Sequence, residues 1–161
     1  MIDRVVVKKD AVHVVLLLTF LKIGHFVVLD LRAIGVERRI ILGKTLVASL
    51  AVANRPDDLN FVLVDYKGGA AFGACASLPH TVGVVTDLDG SLVERALASL
   101  TAELKRREAL LAAAGAIDIA AYRTAGRPLA RLVIVVDEFA SLAEELPDFV
   151  GGLVGIAQRG R

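Results

Sequence analysis

The chain has 161 residues and a net charge of +1, from 19 basic and 18 acidic side chains. That length supports one domain with its own core, and the balanced charge excludes a broad electrostatic footprint for nucleic acid. Hydrophobic residues make up 55% and Trp is absent, an aliphatic composition that suits a parallel sheet covered on both faces, or apolar surface kept for a neighbouring chain.

The first apolar run is AVHVVLLLTFL, residues 11–21. It is closed by Lys22 and falls short of the roughly 20 residues a membrane span needs. Arg4, Lys8 and Lys9 precede it in the manner of a secretory leader, but Asp3 and Asp10 interrupt them and no small-x-small cleavage site follows. The run reads as a buried strand or helix. HFVVLD, His25 to Asp30, reads as a strand, and Arg39 to Leu42 as a second, short one. Gly43, Lys44 and Thr45 then open a helix that continues to Asn54, where NRPDD with its Pro56 breaks it. NFVLVD, Asn60 to Asp65, is an apolar strand ending in a carboxylate. YKGGAAFGA, residues 66–74, is a glycine-rich turn entering a short helix. It leads to Cys75, the single cysteine, which excludes an internal disulfide and points to a reducing compartment. With no His or Asp beside it, Cys75 reads as a small buried apolar residue.

Thr81 to Val85 is a further strand, closed by Thr86 and Asp87. Asp89 or Ser91 caps the longest helix, which runs to about Ala114 and stops at Gly115. A helix around Ile117 to Thr124 and a loop, AGRPLA, follow. LVIVV, Leu132 to Val136, is the most emphatic strand, with Asp137 and Glu138 at its end. A helix starts near Phe139 and another spans Pro147 to Gln158. Strands alternating with helices, and apolar on both faces, define an α/β fold with a three-layer parallel sheet. Ligands of such sheets bind beyond the carboxyl ends of the strands. Polar residues collect there: Lys44 and Thr45, Asp65 and Lys67, Thr86 and Asp87, Asp137 and Glu138. One such pair would only mark where strands end; four on one edge mark a candidate site.

LVIVVDEF has the form of a Walker B strand, in which the Asp holds the Mg²⁺ that bridges nucleotide phosphates and the Glu polarises the attacking water. Asp137 is read alternatively as the cap of the next helix. In FVLVDYKGG, Asp65 and Lys67 share one cleft, and Gly68 and Gly69 permit close backbone approach; the alternative is a turn with a charged rim. RRIILGKTLVASL ends as a phosphate loop ends, G-K-[ST] running into a helix. The first glycine of G-x-x-x-x-G-K-[ST] is replaced by Arg38, so the wrap of backbone N–H groups is lost and Lys44 is a point charge on a helix. Lys105, Arg106 and Arg107 read as a solvated helix face.

NRPDDLNFVLVDYKGGAAF, LPHTVGVVTDLDGSLVERAL, ELKRREALLAAAG, RLVIVVDEFASLAEELPDF and GLVGIAQRGR, in this order and spacing, resemble the FtsK/SpoIIIE domain over residues 44–161. The likeness is narrowest to the actinobacterial branch that contains the type VII secretion ATPases. The resemblance implies a RecA-like P-loop NTPase core, ATP and Mg²⁺ as cofactors, and assembly as a homo-hexamer. The work it implies is ATP-driven translocation of double-stranded DNA or engagement of secreted protein substrates. It implies a cytoplasmic domain at the inner face of the cell membrane, joined to a membrane complex through other domains or subunits. By the same resemblance Asp137 is the magnesium carboxylate, with Thr45 beside it, and Glu138 the catalytic glutamate. Asp65 and Lys67 match the D-x-K element beside the nucleotide, and Gly43, Lys44 and Thr45 the phosphate loop. Arg159 and Arg161 match the R-x-G-R segment at the subunit boundary, or form a solvated basic end.

Two departures accompany the likeness. Between LDLRAIG and TLVASL only VERRIILGK is present, so roughly half of the strand and loop expected there is missing. Relatives continue beyond the R-G-R segment into another strand, whereas this sequence stops at Arg161. Residues 1–24 match nothing in the family. The expectation is therefore a partial motor domain over 25–161 with an open apolar sheet edge. Its alternative function is a nucleotide-independent docking module, or a non-functional fragment.

Overall fold

In the computed structural model, residues 15–16, 19–20, 25–30, 36–66, 71–86 and 90–159 are described, with side chains from 41 onward except those of 90, 140 and 156–159. Two short strands, β1 (Val15–Leu16) and β2 (Thr19–Phe20), pair antiparallel with β3 (His25–Asp30). The apolar 11–21 run thus contributes strand. After β3 come α1 (Val36–Ala53), β4 (Leu59–Asp65), a 3₁₀ turn (Gly73–Cys75) and β5 (Thr81–Thr86). The chain continues with α2 (Gly90–Ala113), α3 (Ile119–Thr124), β6 (Arg131–Asp137), α4 (Phe139–Glu145) and α5 (Pro147–Arg159).

β3, β6, β4 and β5 form a parallel sheet in that spatial order. The last strand in sequence lies between β3 and β4 because LVIVV is apolar on both faces and only an interior place buries both. Alternation along β4 and β6 divides the core. Phe61, Leu63, Val133 and Val135 face one layer, where Val47 and Ala51 of α1 pack with Ala71, Phe72 and Cys75. Val64, Ile134 and Val136 face the other, with Leu100, Leu104, Ile119, Tyr122, Leu142 and Phe149 from α2 to α5. These are the three layers anticipated from the alternation of elements.

Capping residues set several boundaries. Asp118, extended at φ −160°, accepts from the Ala121 amide at 2.7 Å and starts α3. Gly115 turns the chain after α2 at φ +63°, where a β-carbon would be strained. α2 and α5 approach closely at Gly152, whose absent β-carbon would stand 2.7 Å from Leu97 Cδ2.

One expected element is overturned. Arg39 to Leu42 is not a strand; it is the first part of α1, which begins at Val36 and not at Gly43. The run RRIIL carries strand and helix propensity alike. Its Ile41 and Leu42 are 61% and 47% exposed, which an interior strand would not leave. Arg107 is likewise not on a solvated face: it is 5% exposed, while Lys105 and Arg106 are exposed as expected. Its guanidinium donates to Glu103 Oε1 at 2.7 Å and to the Ala130 carbonyl at 2.7 Å, tying α2 to the loop before β6. Burial pulls the Arg107 guanidinium below its ordinary value, against the hydrogen bond and charge of Glu103.

Candidate functional site

The carboxyl ends of the parallel strands carry the chemistry. Register aligns Asp65 with Asp137 across β4 and β6, and Asp65 with Thr86 across β4 and β5. Strand alternation puts Asp65 on the face of Phe61 and Leu63, and Asp137 on the face of Val133 and Val135. Both carboxylate-bearing residues therefore end neighbouring strands on the α1 side of the sheet, about 4.8 Å apart in backbone spacing.

Asp65 is buried, at 5% exposure, and its Oδ2 accepts from the Ala71 amide at 2.9 Å. One of its oxygens thus ties the end of β4 to the backbone six residues on. Asp137 and Glu138 are half-buried. Glu138 has φ 54° and ψ 38° and is the one non-glycine residue at positive φ among those described. This left-handed step ends β6 and lets α4 begin at once, its Leu142 amide donating to the Glu138 carbonyl at 3.1 Å. A bulky acidic residue rarely holds that conformation without a reason. Behind it Tyr66 Oη donates to Glu145 Oε2 at 2.7 Å, joining the end of β4 to α4. Sequence reasoning missed this contact; the two residues lie 79 apart, and no local pattern marks such a pair.

Gly43, Lys44 and Thr45 are elsewhere. They lie inside α1, with Lys44 eight residues past Val36, about 12 Å along the axis. Their amides belong to the helix ladder. Thr45 Oγ1 donates back to the Ile41 carbonyl at 2.7 Å, a common use of a mid-helix hydroxyl. Gly43 is buried where a β-carbon would sit 3.4 Å from the Phe72 ring. Lys44 lies near Cys75, whose thiol is pushed up by burial and drawn down less by that ammonium. Cys75 itself is buried, as expected. The donor set of this stretch does not fit a phosphate cradle. Lys67, Gly68, Gly69, Asp87, Asp89, Arg161 and the side chains of Arg38 and Arg159 lie outside the described residues. Among the described residues no group of three His, Cys, Asp or Glu is placed to hold a metal ion. Asp137 and Asp65 carry the hard oxygen donors that divalent cations such as Mg²⁺ take.

The three-layer α/β sheet with acidic residues at its carboxyl edge has the architecture of the P-loop ATPases. The FtsK/SpoIIIE family model matches residues 41–136, more than half of the sequence. The chain belongs to the FtsK/SpoIIIE family. It is 41% identical over 134 residues to the ESX-1 secretion system protein EccCa1 of Mycobacterium tuberculosis, across 73% of this chain and 18% of that protein. It is 40% identical over 121 residues to the type VII secretion system protein EssC of Staphylococcus aureus, across 71% of this chain and 8% of that one. The solved Thermomonospora curvata EccC (ATPases 2 and 3), in complex with a signal sequence peptide, superposes with a TM-score of 0.62 at 28% identity, over 73% of this chain and 22% of that chain. The chain thus spans less than a fifth of the length of these curated relatives. Among the described residues no helix is long and apolar enough to cross a membrane.

Proposed function

We propose that this chain is a motor-type domain of a type VII secretion ATPase, with secreted protein as its cargo and Mg-ATP as its cofactor. The observation that carries the reading is the Asp65–Asp137–Glu138 edge, in register at the strand ends and held by a left-handed turn. Asp137 would hold Mg²⁺, Asp65 would hold the Ala71 backbone beside it, and Glu138 would orient water. The bound nucleotide would supply a metal-bridged phosphoanhydride. The named relatives are secretion proteins, and one solved relative holds a signal sequence peptide. That supports protein over double-stranded DNA, as does a net charge of +1. The relatives also support a place in a secretion system.

Calorimetric titration with Mg-ATP tests the reading. Binding that Asp137→Asn abolishes, and that Lys44→Ala leaves in place, is the expected result. Binding lost in Lys44→Ala would instead restore the lysine to the site. Absence of binding in the wild-type chain overturns the reading in favour of a second one, a nucleotide-independent docking module. The interior placement of Gly43, Lys44 and Thr45 in α1 favours that second reading.

A further inference from the structure

The turn that ends β6 is held from its far side. Glu138 stands at φ 54° and ψ 38°, where the β-carbon of a non-glycine residue crowds the following carbonyl. α4 follows at once, and its seven residues span about 10 Å along the helix axis. At its last residue, Glu145, Oε2 accepts from the Tyr66 hydroxyl at 2.7 Å. Tyr66 comes directly after Asp65, which pairs with Asp137 in register. A closed circuit results. It runs from β4 through Tyr66 to Glu145, back along α4 to Glu138, and from β6 across the ladder to β4.

The apolar contacts of α4 do not close that circuit by themselves. Phe139, Leu142 and Leu146 pack into the layer of α2 and α5, and their spacing places them in one stripe along the helix. A stripe fixes how deep a helix lies and leaves it able to roll about the line of contact. Rolling α4 turns the peptide that joins Glu138 to Phe139, and with it the left-handed step. Glu145 lies one residue off the stripe, so the Tyr66 hydroxyl grips α4 to one side and blocks the roll. Glu145 is exposed, so water competes for this bond and the grip is able to open.

We propose that the Tyr66–Glu145 hydrogen bond is a latch on the strained turn. Closed, it keeps Glu138 left-handed and its carboxylate in place at the sheet edge. Open, it lets α4 roll and Glu138 relax. Strain of this kind persists only where the surroundings over-determine it, and Tyr66 and Glu145 supply the extra constraint. They are positioning residues for Glu138. The latch acts on the backbone and stands whether or not the chain binds nucleotide.

Urea denaturation of the full chain, read as the folding equilibrium constant, tests it. Glu138→Ala removes the carboxylate and keeps the β-carbon; Glu138→Gly removes both. With Tyr66 intact, Glu138→Gly should fold about fivefold more favourably than Glu138→Ala. In a Tyr66→Phe background that ratio should fall to about one or below, because the open latch has already released the strain and glycine keeps only its entropic cost. Glu145→Ala should act as Tyr66→Phe does. Glu145→Gln, whose amide oxygen accepts the same hydroxyl, should preserve the ratio. Should Tyr66→Phe misfold, the exposed Glu145 variants decide. A merely structural hydrogen bond would give additive effects, so a ratio indifferent to Tyr66→Phe and to Glu145→Ala overturns the proposal. So does a ratio near one with the latch intact.

Discussion

Gly43, Lys44 and Thr45 sit inside an 18-residue helix, whereas Asp137 and Glu138 sit where a buried strand stops. In the first region every backbone amide already serves the helix ladder, and the threonine hydroxyl is returned to Ile41. In the second, the backbone breaks from strand to left-handed turn to helix within three residues. The break leaves the Asp137 and Glu138 side chains half-buried at the sheet edge. Polar residues at the end of a buried strand stand where ligands of open α/β sheets bind, whereas those inside a helix stand on its ladder.

The largest expected contrast between the regions lies in stability. Leu142, fully buried behind Glu138 on α4, should cost about 2–5 kcal/mol when replaced by Ala. Ile41→Ala on the outer side of α1, at 61% exposure, should stay within about 0.5 kcal/mol. Chemical denaturation of both variants measures the difference, and equal losses would mean that α1 is buried in solution.

Next in size is the clamp that sets the start of β6. Arg107→Ala leaves the Ala130 carbonyl without its donor and should cost about 1–3 kcal/mol. The same clamp has a pH signature. Glu103 is held below its ordinary value of 4.5, first by the hydrogen bond from Arg106 and against the opposing effect of burial. A depressed folded value means stability present above the unfolded value and lost as pH falls through the folded one. Stability should therefore decline below about pH 4.5, and Glu103→Gln should flatten the decline in melts taken across that range.

Smaller effects probe the two motifs themselves. Glu138→Gly removes the cost of a left-handed non-glycine residue and should raise stability by about 1 kcal/mol, while Glu138→Gln should not. A gain in both would show that charge and not backbone strain is the cause. Gly43→Ala should stabilise α1 by up to about 1 kcal/mol through helix propensity, less whatever the Phe72 ring concedes at 3.4 Å. A working phosphate loop would respond otherwise, with destabilisation and weaker Mg-ATP binding.

Much of the fold was legible along the chain. His25–Asp30, Leu59–Asp65, Thr81–Thr86 and Arg131–Asp137 are strands because short aliphatic runs end in polar residues. Gly115 marks a helix end because its conformation is a local property. The acidic pair at 137 and 138 was legible for the same reason. RRIIL was not, since its residues serve strand or helix equally and only α1 packing on β6 and on the 3₁₀ turn decides between them. Arg107 was misread because Lys105 and Arg106 beside it are solvated, and one more step around the helix turns a side chain inward.

By itself, then, the sequence determined the alternation of elements, the α/β class and the acidic strand end, all of which depend on residues a few positions apart. Only the tertiary structure decided that β6 lies between β3 and β4, that Asp65 meets Asp137 in register, and that Tyr66 reaches Glu145. It also decided that the Gly43–Thr45 stretch is spent on a helix. Those outcomes depend on which apolar faces cover one another, a relation between distant segments that no local periodicity records.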